Sequence, residues 1–175
     1  MLLDSFAFSL ALPLVAIFYG PTDVGNKHTF SLGGIQLEAS LRIARHTRLG
    51  IEVGGIGSGP LGVAIASPRA SESNHTQTAT YSLYMERPFN VDWHYRAGVT
   101  LSQRFWHGNN TAPHNSLRVT QEIANTYVGP SVGVLYALDS AIKIGARYDL
   151  LLVDITSATS LNYAHTMMTW FSYTF

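Results

Sequence analysis

Along most of this chain a large apolar residue stands at every second position, with small, polar or charged residues between. A period of two is the mark of a strand with two unlike faces. In "WHYRAGVTLSQRF", Trp93, Tyr95, Ala97, Val99, Leu101 and Phe105 oppose His94, Arg96, Gly98, Thr100, Ser102 and Arg104. "GIQLEASLRIA" sets Ile35, Leu37, Ala39, Leu41 and Ile43 against Gln36, Glu38, Ser40 and Arg42. "RLGIEVG" sets Leu49, Ile51 and Val53 against Gly50, Glu52 and Gly54, and "ATYSLYMER" sets Ala79, Tyr81, Leu83 and Met85 against Thr80, Ser82, Tyr84 and Glu86. "VGPSVGVLY" opposes Val128, Pro130, Val132, Val134 and Tyr136 to Gly129, Ser131 and Gly133. "IKIGARYDLLL" opposes Ile142, Ile144, Ala146, Tyr148 and Leu150 to Lys143, Gly145, Arg147 and Asp149.

The first stretch, "SFAFSLALPLVAIFYG", alternates Phe6, Phe8, Leu10, Leu12 and Leu14 with Ser5, Ala7, Ser9, Ala11 and Pro13. It reads as a strand over about residues 1–19. The competing reading is the apolar part of a secretory signal, against which Asp4 precedes the run and no Lys or Arg stands before it. No export signal is otherwise evident. With a last strand from about Leu161 to Phe175, the pattern predicts eight strands in one domain, and no segment carries a helical period. Short turns are expected near Ala44–Thr47, Pro88–Asp92 and Ala137–Ser140. Longer loops are expected near Gly20–Lys27, Gly57–Gln77, Trp106–Asn125 and Asp154–Ser160. Short connections at one end and long ones at the other fit an antiparallel up-and-down barrel.

Alternation alone also fits a soluble sandwich or a lipocalin-like barrel. The polar face decides between them. It carries Gly50, Gly54, Gly98, Gly129, Gly133 and Gly145, where a soluble protein would show water a surface of Lys, Glu and Thr. Small residues suit the inside of a narrow cylinder. The same face holds Glu38, Glu52, Glu86 and Asp149 with Arg42, Arg96, Arg104, Lys143 and Arg147, a nearly balanced set that must pair if it is enclosed. The apolar face is almost free of charge, as lipid contact requires. Aromatic residues at strand ends (Phe18, Tyr19, Tyr81, Trp93, Tyr95, Phe105, Tyr136, Tyr163, Tyr173) would form two interfacial girdles. The expected fold is an all-β, eight-stranded, transmembrane barrel with its polar face inside.

Composition narrows function more than it names it. Only 13% of the 175 residues are charged and the formal net charge is zero, so no basic footprint for nucleic acid exists. The absence of cysteine excludes disulfides, thiolate catalysis and thiolate-bound metal.

At the level of pattern, over nearly the whole chain, the sequence resembles the small eight-stranded outer-membrane barrels of Gram-negative bacteria, the OmpA transmembrane domain and OmpX-like group. Its most specific element is the terminal "FSYTF", in which Phe171, Tyr173 and Phe175 share a face. The resemblance implies that these three are an assembly signal read by the barrel-assembly machinery, that the protein sits in the bacterial outer membrane, and that its partners are outer-membrane lipid and lipopolysaccharide. Two inward residues of the last strand, Met168 and Trp170, are larger than the pattern leads one to expect.

The expected role is structural, adhesive or partner-binding, through the loops, where the apolar "PLGVAIA" within Gly57–Gln77 offers a contact. A narrow ion or small-solute pore gated by the inward charges (Glu52, Glu86, Arg96, Arg147) is an alternative, as is an accessory place in a larger envelope complex. A lipid-modifying enzyme would need a Ser or Asp beside a His. His165, Ser160 and Asp154 are the residues available, and no motif joins them, so no catalytic residue is assigned. His28, His75, His107 and His114 lie in or beside the longer loops without tight metal-ligand spacing. No metal or cofactor is expected.

Overall fold

The computed structural model describes residues 5–22, 25–57, 75–110, 118–154 and 163–175. Every element is a strand: β1 (Phe6–Thr22), β2 (Gly25–Leu32), β3 (Gly34–Ala44), β4 (Thr47–Gly57), β5 (His75–Pro88), β6 (Trp93–Asn110), β7 (Arg118–Ala137), β8 (Ile142–Leu151), β9 (Val153–Asp154) and β10 (Ala164–Thr174). These ten segments form eight staves. β2 and β3 are one stave, since both pair with β1, and β8 and β9 are another, since both pair with β7. The break in the first of these falls at Gly33 and Gly34, whose φ angles of 80° and 152° suit glycine alone.

All neighbours are antiparallel, and β1 pairs with β10 over Ser9↔Thr174 to Tyr19↔His165, which closes the sheet on itself. Closure removes both sheet edges, the condition for strands to cross hydrocarbon. Among the described residues no helix is long and apolar enough to cross a membrane.

The cylinder is apolar outside and polar inside. Leu37 is 62% exposed and Leu83 53%, whereas Glu52 and Asp149, one strand-phase away, are each 1% exposed. A water-facing barrel would reverse this order, so the soluble alternative is excluded. Tyr81, Trp93, Tyr95, Tyr136, Tyr163 and Tyr173 stand outward as expected, and Trp93 packs on Tyr136 with ring centroids 5.0 Å apart.

Phe18 does not join them. A register shift between Pro13 and Val15 inserts one residue into β1 and inverts its phase, so Ile17 faces out while Ala16 and Phe18 are buried. The side chain of Phe105 lies outside the described residues.

Two of the expected loops are largely strand. β1 runs to Thr22 and β2 begins at Gly25, so Gly20–Lys27 is a hairpin with paired arms. β6 and β7 stay paired as far as Asn110↔Arg118, through most of Trp106–Asn125. Polar composition there does not prevent pairing, because a ladder satisfies the backbone in water as well as in lipid. The expected apolar contact "PLGVAIA" and Ser160 lie outside the described residues.

Candidate functional site

The interior is the place where this sequence concentrates its chemistry. Inward parity along β3, β4, β5, β6 and β8 delivers Glu38, Glu52, Glu86, Arg96, Arg147 and Asp149 to the lumen, and all six are buried. Each comes from a different stave except Arg147 and Asp149, which sit two apart on β8 and so share its inner face.

Arg96 is the hub. Its Nη1 donates to Glu38 Oε1 at 2.6 Å and its Nη2 to Glu38 Oε2 at 2.9 Å. Its Nε donates to Glu86 Oε2 at 2.9 Å, and Nη1 also lies 3.8 Å from Glu52 Oε2. The guanidinium is stacked 4.1 Å from the centre of the Tyr84 ring, and the centre of the Trp170 ring lies 5.8 Å from it. Glu86 is shared further, accepting from Lys143 Nζ at 2.9 Å and meeting His94 Nδ1 at 3.0 Å.

Arg147 is the second hub. Its Nη1 donates to Glu52 Oε1, which belongs to β4 on the wall opposite β8. Its Nε donates to Asp149 Oδ2 at 3.1 Å, and Nη1 reaches Ser82 Oγ at 3.3 Å. Ser82 and Thr100 hydroxyls meet at 2.9 Å, and Thr100 Oγ1 donates to Asp149 Oδ1 at 3.2 Å. The two hubs therefore join into one ladder of charge across the lumen. Apart from Arg147 Nη2, which has no hydrogen-bond partner among the described residues, the charges of the ladder meet opposite charges, and that is what keeps them tolerable when buried.

Apolar packing fills the rest. Ala11, Ala16, Leu135, Met168 and Trp170 form one buried cluster, and Phe18, Tyr127, Leu151 and Ala164 form another. Large inward side chains are accommodated by glycine opposite them. A Cβ on Gly145 would fall inside the Trp170 indole, and one on Gly50 inside the Tyr84 ring. An eight-stranded barrel has just the width that such side chains fill.

The remaining sequence-derived residues are placed as follows. Arg42 follows inward parity but lies exposed at the rim, and among the described residues no carboxylate pairs with it: it is not part of the ladder. Parity assigns a face without assigning a height. Arg104 is paired through its backbone with Asn125, and its side chain lies outside the described residues. Tyr173 and Phe175 are exposed with their rings edge to face at 5.1 Å, Phe171 is half-buried, and Phe175 N donates to Phe8 O at 2.9 Å.

His165 faces outward and its Nδ1 is hydrogen-bonded to Tyr148 Oη, with Tyr19 and Tyr163 rings beside it. Its described partners are thus aromatic. Asp154 ends β9, paired with Tyr127 through the backbone, and its side chain lies outside the described residues. His75 and His107 stand directly opposite each other on β5 and β6, in strands where loops were expected, and His28 lies on β2; His114 lies outside the described residues. No group of three His, Cys, Asp or Glu residues that could hold a metal occurs among the described residues. Sequence reasoning missed Tyr84, His94, Ser82 and Thr100 as members of the ladder, although inward parity alone would have nominated each of them.

No known family profile and no curated protein matches this chain. Solved structures do. Neisserial surface protein A superposes with a TM-score of 0.58 at 15% identity, covering 96% of this chain and 97% of that one. Ail, the attachment invasion locus protein of Yersinia pestis, superposes at 0.59 with 12% identity, covering 98% and 99%. A second Ail structure, in complex with the heparin analogue sucrose octasulfate, gives 0.53 at 13% identity over 98% and 99%. Closed ring, inverted faces and full-length superposition agree: this chain has the fold of the small eight-stranded β-barrels to which Neisserial surface protein A and Ail belong.

Proposed function

We propose that the protein resides in the bacterial outer membrane and acts through its long-loop end, as an adhesive or partner-binding surface held by a closed cylinder. The observation that carries this reading is the filled lumen, in which the charge ladder and two apolar clusters occupy the path that a solute would take. A barrel closed inside does its work at its ends. Neisserial surface protein A is by name a surface protein, and Ail is by name an attachment protein with a structure bound to a heparin analogue. These likenesses, at 15% identity and below, lend the adhesive reading analogy of fold and nothing finer.

In this reading the apolar band contacts outer-membrane lipid, lipopolysaccharide surrounds the long-loop end, and Phe171, Tyr173 and Phe175 are presented to the barrel-assembly machinery. The test is replacement of residues 58–74 by a short Gly-Ser linker. Binding of the purified barrel to heparin-coated and host-cell surfaces should fall to background while the folded barrel is retained. Unchanged binding would remove this loop from the function.

A narrow pore is the second reading, and one distance favours it. Arg96 Nη1 is 2.6 Å from Glu38 and 3.8 Å from Glu52, so a second carboxylate lies within a small side-chain movement. A place as accessory subunit in a larger envelope complex would use the same loop surface, and crosslinking from that end in whole cells distinguishes it.

A further inference from the structure

Most of the interior cations are paired, but the short-turn mouth holds three arginines that are not. Arg42 and Arg48 are direct cross-strand partners on β3 and β4, and Arg45 lies in the turn that joins those strands. Like charges directly opposite on a sheet destabilise it. Among the described residues no carboxylate lies within ion-pair distance of any of the three, and the one hydrogen-bond partner of the Arg48 side chain is Ser40 Oγ at 3.3 Å. Glu86 faces Arg48 in the register of β4 and β5, yet its oxygens are taken by Arg96, Lys143 and His94.

The three arginines border one concavity. It has a volume of about 140 Å³ and is lined by Arg42, Arg45, His46 and Arg48, with His94 and Glu86 at its inner side. Arg42 and Arg48 also line the larger vestibule of about 450 Å³ that opens the lumen to water at this end, so a solute has an aqueous route to them.

We propose that this mouth is an anion site for a phosphate-type group. Guanidinium forks match phosphate oxygens in pairs, and they are less strongly hydrated than ammonium, so the exchange of water for an anion costs them less. Three of them around a small concavity favour a compact group of double charge over a single carboxylate. Such a group would remove the repulsion between Arg42 and Arg48 that the fold otherwise carries. Asp92 and Asp139 on the far side of the vestibule repel an anion, which confines the site to the β3–β4 side. The phosphate could be that of a free soluble ester or ion, or that of a lipid headgroup bending over the rim.

The test uses the full chain refolded in an uncharged, phosphate-free detergent. Inorganic phosphate is titrated by calorimetry, and labelling of Arg42, Arg45 and Arg48 by phenylglyoxal is followed by peptide mass spectrometry. Saturable phosphate binding is expected, with protection of all three arginines relative to equal ionic strength of chloride. Arg42→Gln with Arg48→Gln should weaken phosphate binding by about tenfold or more. Arg87→Gln, which lies on the outward phase of β5, should leave it unchanged. The wild-type labelling arm requires no variant to fold. Protection by phosphate in micelles supports a free anion as the source. Protection seen only in nanodiscs containing phosphatidic acid, whose phosphate monoester can carry the second charge, against phosphatidylcholine discs, supports a lipid headgroup supplying the same group. Equal labelling under phosphate, chloride and both lipids, or phosphate binding undiminished in the double variant, overturns the site.

Discussion

Arg96 on β6 grips Glu38 on β3 with both arms of its guanidinium, at 2.6 and 2.9 Å, across the lumen and across 58 residues of sequence. Two staves, β4 and β5, separate the strands that carry them, so the pair braces the wall from inside. Neither residue can relax into water, being 7% and 4% exposed in their side chains. Removing the guanidinium leaves the Glu38 carboxylate buried with only the Tyr84 hydroxyl at 3.4 Å as a described partner, a loss of about 3–5 kcal/mol. Arg96→Met should therefore destabilise the barrel by that order in urea unfolding from micelles. The double variant with Glu38→Gln should recover part of the loss. Additive losses in that cycle would mean that the two side chains act independently of one another.

Trp170 and Gly145 are a matched pair, a large inward residue on β10 facing a missing side chain on β8. Gly145→Ala would place a methyl group inside the indole, and overpacking of this kind costs about 1–3 kcal/mol. Trp170→Leu alone should lose packing and cation–π contact with Arg96. Combined with Gly145→Ala it should lose less than the sum, because the new methyl occupies vacated space. The unfolding midpoints of the four proteins decide it. A Gly145→Ala barrel as stable as the parent would show that the indole can move aside freely.

The outward face supports a prediction about lipid. Leu83 lies on β5 between Ile51 and Val99, both exposed and apolar, well inside the band. Leu83→Arg should lower folding free energy in bilayers by about 2–4 kcal/mol, the depth-dependent penalty for arginine near a membrane midplane. Arg at Met85, two residues nearer the short-turn rim, should cost less. Equal costs at both positions would mean that the band is displaced from where the exposed residues put it. Unvaried protein should give a strand-dominated circular dichroism spectrum and a gel mobility that changes on boiling.

What the sequence made legible follows from one number, the period of two. Because side chains alternate strictly along a strand, the inward positions of β3, β4, β5, β6 and β8 could be read without knowing which strands are neighbours. The reading failed where the period itself breaks: one inserted residue in β1 turned Phe18 inward. It also failed on height. Arg42 and Glu38 share a face of β3, but the first sits at the rim and the second in the ladder, and only the tilt and stagger of closed strands distinguish them. Pair identity was illegible for the same reason, since Arg147 finds Glu52 on the opposite wall, 95 residues away. Trp170 looked oversized for the lumen because the glycine that admits it, Gly145, belongs to another strand.

The last prediction separates a plug from a gate. Two things close the lumen: the ion pairs of Arg96 and Arg147, and the packed side chains around Met168 and Trp170. If packing is the barrier, Glu52→Gln should weaken the fold without conferring conductance, because Arg147 and Asp149 remain paired and the apolar cluster remains in place. Met168→Ala with Trp170→Ala should then produce small, resolvable current steps in planar bilayers, since truncating both removes the bulk that fills the cylinder beside Arg96. If instead the ion pairs are the barrier, Glu52→Gln alone should open the path, by freeing Arg147 from the wall opposite. Unvaried protein should show no sustained steps. The pattern of currents across these three proteins assigns the closure to one cause or the other. Steps in the unvaried barrel would move the narrow-pore reading ahead of the adhesive one.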